Sequence, residues 1–233
     1  MQVNLTPRSI TTAFGLTVAL LLLAHTIIQT CRFVFDDDRF YGLVFMFSVG
    51  SDGNIPTYYS AFALLFSSGL LAFTGYLIRK AGQPMVLYWF GLSVVFLFMS
   101  ADEMLELHER LIEPLRGALG TSGAFYYAWV IPYGIAVLTI GAIYLRFLLH
   151  LPRRTAIGFI VAGAVFVTGA IGFEMLGGMI YEQSGSNNAY YVFLQTIEEA
   201  LEMVGIVMFI YAITDYIAGE FDSVTVSLDK KAP

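Results

Sequence analysis

At 233 residues, 58% hydrophobic and only 13% charged, with a mean hydropathy of +0.73, the chain is too apolar for a soluble domain of its size. Its one cysteine, Cys31, excludes an intrachain disulfide framework and a zinc ribbon, and a net charge of −6 with no Lys/Arg-rich run gives no basis for a nucleic-acid partner. What remains is an all-α, polytopic membrane helix bundle: a span takes about 20 apolar residues, so the length holds about six spans and no separate soluble domain.

The first span is expected over 11–31. Its apolar run is long and Ala24-His25-Thr26 leads into no small-residue cleavage site, so it reads as a span and not a cleaved signal. His25 and Gln29 share one of its faces. An outer loop over 32–56 follows, with Phe40 to Val49 as a short interfacial or re-entrant helix capped by one of Asp36, Asp37 and Asp38. Ser51-Asp52-Gly53-Asn54 is a turn. It lacks the 12-residue ligand spacing and bidentate Glu of a calcium loop.

Further spans are expected over 57–79, 85–105, 125–149, 155–180 and 190–217. Pro84 opens the third, and a Gly120-Thr121-Ser122-Gly123 turn precedes the fourth, where Pro132 can open a kink. Leu151-Pro152-Arg153-Arg154 divides the fourth from the fifth, and a polar loop over 183–188 precedes the sixth. Tyr126, Tyr127 and Trp129 read as an outer aromatic belt, Tyr88 and Trp89 as an inner one. Tyr190 and Tyr191 are belt residues or a gate. No internal repeat is visible.

Basic residues set the orientation. With both termini cytoplasmic, the inner segments hold Arg8, Arg79, Lys80, Arg146, Arg153, Arg154, Lys230 and Lys231, and the outer ones only Arg32, Arg39, Arg110 and Arg116. Asp215, Glu220, Asp222 and Asp229 are then the inner acids, and all others lie toward the outer face.

Carboxylates at membrane depth are costly and normally face a bundle interior. With a rise of about 1.5 Å per residue, Glu103, Glu174 and Glu199 stand roughly 25–29 Å from the inner ends of their helices, and Glu202 and His25 roughly 20 Å. Glu174 shares a face with the small residues Gly163, Ala170 and Gly177, which mark close helix contact. Gln195, Glu198, Glu199 and Glu202 form one polar sector of the sixth span, and Asp102, Glu106 and Glu109 a stripe on the third. Glu103, Glu174, Glu199 and Glu202, with His25 and His108 as nitrogen donors, are therefore the expected metal ligands. Asp102, Glu106, Glu109, Glu198, Gln29 and Gln195 stand behind them or relay protons.

Such a donor set suits divalent ions: Fe, Mn or Zn, singly or as a di-metal centre, with Ca also admissible. The chain lacks the Glu-x-x-His of di-metal bundles. On a straight helix His108 points about 140° from Glu103, so either the helix unwinds near 105–108 or His108 has another task. Plainer readings stand beside this one. Asp102, Glu106, Glu109 and Glu113 could be a solvated helix extension with Glu106 paired to Arg110. The deeper acids could be a structural, proton-sharing network.

Gly53-Asn54-Ile55-Pro56-Thr57-Tyr58-Tyr59-Ser60, Ser100-Ala101-Asp102-Glu103 through His108-Glu109, and Glu198-Glu199 with Glu202-Met203 resemble segments of a family of small bacterial polytopic membrane proteins with no assigned activity. The resemblance covers most of the chain and implies a bacterial source; multiple apolar spans then imply the inner membrane. Three functions follow as expectations. The first is a metal-binding membrane protein acting on a lipid-soluble substrate. The second is a proton or cation conduit, opposed by the lack of acids between the slab and Asp215. The third is an accessory subunit of a larger membrane complex.

Overall fold

A computed structural model describes residues 6–221. Among these residues ten α-helices follow one another: α1 (Pro7–Phe35), α2 (Leu43–Phe47), α3 (Ile55–Lys80), α4 (Val86–Leu105), α5 (Leu107–Arg110), α6 (Ile112–Leu119), α7 (Val130–His150), α8 (Arg153–Val167), α9 (Glu174–Ser184) and α10 (Ala189–Glu220). A π-helical turn, Thr168–Phe173, joins α8 to α9 without interruption. Among the described residues six helices are long and apolar enough to cross a membrane: α1, α3, α4, α7, the continuous Arg153–Ser184 rod, and α10. Lys230, Lys231, Asp222 and Asp229, counted above for orientation, lie outside the described residues.

Local chemistry fixes the helix ends. The Thr6 hydroxyl accepts from the Ser9 N–H at 3.1 Å and Pro7 takes the first helical position, so α1 starts cleanly. Asp37 accepts from the N–H groups of Arg39 and Phe40, both at 3.0 Å, and starts the short helical stretch of the 36–54 connection. Asn54 caps α3 by accepting from the Thr57 N–H, while its amide donates to the carbonyls of Phe45, Ser48 and Ser51. One side chain thus folds the loop back over the start of α3.

Helix α10 is the central element and packs against α1, α3 and the α8–α9 rod; α3 pairs along its length with α4. Where α10 crosses the rod, the backbones come close. A Cβ on Gly205 would stand 2.8 Å from the Phe166 nitrogen, and one on Gly169 would stand 2.6 Å from the Glu198 carbonyl oxygen. The end of the bundle carrying Arg79, Lys80, Arg146, Arg153 and Arg154 is its basic end. An apolar core of Leu71, Trp89, Phe147, Phe159, Ile213 and Tyr216 lies there. Helix α7 stands at the margin, with only Val130 and Phe147 buried, near its two ends.

Two local expectations are corrected. The fourth long helix begins at Val130, not near 125, so Pro132 sits in its first turn. Its missing N–H has no partner to lose there, and it makes no mid-helix kink. Arg110 donates to the Leu105 carbonyl at 3.0 Å instead of pairing with Glu106, because Glu106 itself takes the left-handed conformation that ends α4.

Candidate functional site

The acidic end, opposite the basic end, holds a cavity of about 150 Å³. Eight carboxylates line it: Asp52 from the bend before α3, Asp102 and Glu103 from α4, Glu109 from α5, Glu174 from α9, and Glu198, Glu199 and Glu202 from α10. His108, Gln195, Tyr127, Trp129, Tyr133 and Tyr191 share the wall. Among the described residues no lysine or arginine forms an ion pair with any of the eight.

The break after α4 decides which third-helix residues reach this cavity. Glu106 takes the left-handed conformation, φ 53° and ψ 43°, and ends the helix. The reversal brings His108 back beneath its own helix. Its backbone N–H donates to Asp102 Oδ1 at 3.0 Å, and its ring Nδ1 lies 3.2 Å from Oδ2. Tyr133 donates to the same Oδ1 at 2.9 Å. Burial tends to lower the His108 pKa, but the hydrogen bond and charge of Asp102, with the charges of Glu103 and Glu202 beyond, raise it to about 9. Asp102 is therefore occupied in holding His108 and Tyr133. Glu106 itself is not part of the lining; its carboxylate approaches the Gly53 turn.

On the fifth long helix the π turn lies just before Glu174. The wider winding delays the helix by roughly one residue, as π-bulges do. Glu174 and Ala170 line the acidic cavity, and Gly163, about three turns further along the same rod, lines the apolar cleft that Ala170 also borders. Trp129 Nε1 donates to Glu174 Oε1 at 2.8 Å, so Trp129 is a wall residue of the cavity and only 6% exposed, not an outward belt residue. Tyr127 and Tyr191 join hydroxyls at 2.8 Å across the cavity. Two pairs of acids, Glu174 with Glu198 and Asp52 with Glu109, lie within mutual hydrogen-bonding reach. Burial first, then the charge and hydrogen bond of Asp52, raise the Glu109 pKa to about 7 against the opposing pull of His108.

His25 is a correction. It is buried on α1, but both ring nitrogens are committed. Nδ1 accepts from the Val49 N–H at 3.1 Å. The Thr196 hydroxyl donates to the Val192 carbonyl and so accepts from His25 Nε2–H at 2.9 Å. His25 pins the α2–α3 connection to α1 and α10 and is not in the cavity lining. Gln29 does similar work, donating to Ser48 at 3.3 Å, whereas Gln195 lines the cavity and donates to the Gly50 carbonyl at 3.3 Å. Asp52, Tyr133, Trp129 and Tyr191 are wall residues that spacing did not select. Asp52 reads locally as a turn, Trp129 as belt and Tyr191 as belt or gate, and Tyr133 carries no spacing signal of its own.

The lining is chemically suited to a hard or borderline divalent ion, with carboxylate oxygens and one imidazole. Among the described residues, however, no three of His, Cys, Asp and Glu stand together as a ready ligand group. Drawing in an ion would require the glutamates of α4, α9 and α10 to converge by rotation of their side chains.

Toward the basic end the cavity adjoins an apolar cleft of about 510 Å³ between α4, α7, α8 and α10. Leu64, Met99, Trp129, Tyr133, Phe166 and Ala170 belong to the walls of both.

A family model covers residues 13–215 of this arrangement, nearly all of the bundle. The chain belongs to the family described as a domain of unknown function (DUF8692). No curated protein and no solved structure matches it. For this DUF8692 member, then, function has to be argued from the cavity and the cleft themselves.

Proposed function

We propose that this DUF8692 chain is a multi-pass protein of the bacterial inner membrane, with both termini cytoplasmic, whose acidic end binds one or two divalent metal ions and acts on a lipid-soluble substrate. The observation that carries the reading is the cavity of eight carboxylates with one imidazole and no Lys/Arg partner among the described residues. So many carboxylates in so small a space must be neutralised by cations or by shared protons. Glu103, Glu174, Glu199 and Glu202 would hold the ion. Asp102 would keep His108 and Tyr133 in place, and Trp129 would orient Glu174 through its 2.8 Å hydrogen bond. A divalent ion with an open position supplies Lewis-acid or redox chemistry. The adjoining apolar cleft supports a substrate that arrives from the bilayer.

A second reading, a metal-free proton-sharing network, is favoured by the two acid pairs, Glu174 with Glu198 and Asp52 with Glu109. Elemental mass spectrometry on detergent-purified protein separates the two. One or two bound ions per chain, lost in Glu103→Gln and Glu199→Gln while both variants stay folded, is the expected result. No stoichiometric metal after reconstitution with Mn, Fe, Zn and Ca would leave the proton-sharing network.

A further inference from the structure

The apolar cleft has three properties that together describe its occupant. Its wall offers hydrocarbon and almost nothing else. Its polar side-chain groups are already engaged: Tyr133 donates to Asp102, Tyr144 to the Tyr88 carbonyl at 3.1 Å, and Trp129 to Glu174. Its sides are open. Phe98 and Val137 line it yet are 51% and 38% exposed on the flank of the bundle, and a Cβ built on Gly141 of α7 or Gly163 of α8 would meet nothing within 4 Å. One end meets the carboxylate cavity at Trp129 and Tyr133.

An occupant must therefore be apolar along the cleft and polar at one end, and at bilayer depth it would reach the cleft sideways, past the loosely packed α7. The polar end would face eight carboxylates against one imidazole. That balance disfavours an anionic head and favours one that donates O–H or N–H hydrogen bonds. We propose that the cleft takes the tail of a single-chain amphiphile with a hydrogen-bond-donating head, a long-chain alcohol or amine, and sets that head against the carboxylates beside Trp129 and Tyr133. This rests on the reading of the chain as membrane-spanning with the acidic cavity as its working site.

Tryptophan emission tests it on the full chain in detergent, using long-chain alcohols, amines and fatty acids that carry bromine in the tail. Bromine quenches tryptophan on contact, and Trp129 is shielded from bulk tails by its burial. Loss of emission with the alcohol and the amine, weaker loss with the fatty acid, and disappearance of the effect in Trp129→Phe are expected. Gly163→Phe, which fills the cleft, should abolish quenching, and Gly163→Ala should retain it. Gly141→Leu offers a second block from the opposite wall should Gly163→Phe fail to fold. Unchanged quenching in the filled variants, or none in the wild type, would overturn the site. Equal quenching by the fatty acid would overturn the choice of head. Repeating the titration on chelator-treated protein separates the proposals, since tail binding that survives metal removal stands whatever the metal assay shows.

Discussion

At the scale of single residues the site turns on Glu106. A non-glycine residue in the left-handed region costs on the order of 1 kcal/mol, and here it reverses the chain so that His108 meets Asp102. The pair has a pH signature in metal-free protein. A histidine whose folded pKa is raised to about 9 contributes stability fully present below its unfolded value near 6.5 and lost as pH rises through about 9. Thermal unfolding between pH 6 and 10 (roughly that window) should therefore show wild-type stability falling with pH, and Asp102→Asn should flatten the slope. A slope unchanged in Asp102→Asn would show that the pair is not its source. Along the sequence His108 was a candidate nitrogen ligand whose facing did not fit, because an ideal helix turns it away from Glu103. No propensity flags a glutamate as the residue that ends a helix in the left-handed region.

Among the elements, the contact between the α8–α9 rod and α10 places most of the acids. Gly205 and Gly169 let the backbones approach, and the π turn before Glu174 rotates that carboxylate into the cavity. Gly205→Ala would drive a methyl to 2.8 Å from the Phe166 nitrogen and 3.0 Å from the Ala162 oxygen, both backbone atoms that cannot move aside. A loss of about 1–3 kcal/mol is expected, read as a lowered unfolding temperature in detergent. Gly15→Ala is the matched control: a Cβ there meets nothing within 4 Å, so stability should hold or rise slightly. The small residues near Glu174 were readable as a contact face from their spacing. The π turn was not, because a winding defect leaves no compositional mark.

At the scale of the whole molecule the cavity-lining carboxylates gather at one end. Below the acidic cavity the buried hydroxyls are absorbed locally: Ser67 and Thr74 donate to carbonyls of their own helix, and Ser68 and Ser93 bond each other's helices. Asp215, near the basic end, is tied to Arg154 at 3.1 Å. No chain of titratable groups links the two ends among the described residues, so proteoliposomes carrying the protein should show no proton flux above empty vesicles under an imposed potential. Flux that vanished in Glu199→Gln would instead revive the conduit reading.

The sequence by itself determined the helical class, the six long apolar segments and the depth at which Glu103, Glu174, Glu199 and Glu202 fall. Each of these depends only on a local quantity, hydropathy or the fixed rise of a helix. Facing was decided by the tertiary structure. Whether His25 is free or spoken for depends on Val49 and Thr196, and whether Trp129 looks outward or onto Glu174 depends on where α7 begins. The placing of the carboxylate cavity against an apolar cleft is likewise tertiary. It arises from the looseness of α7 against its neighbours, a property of packing between helices that no single segment carries.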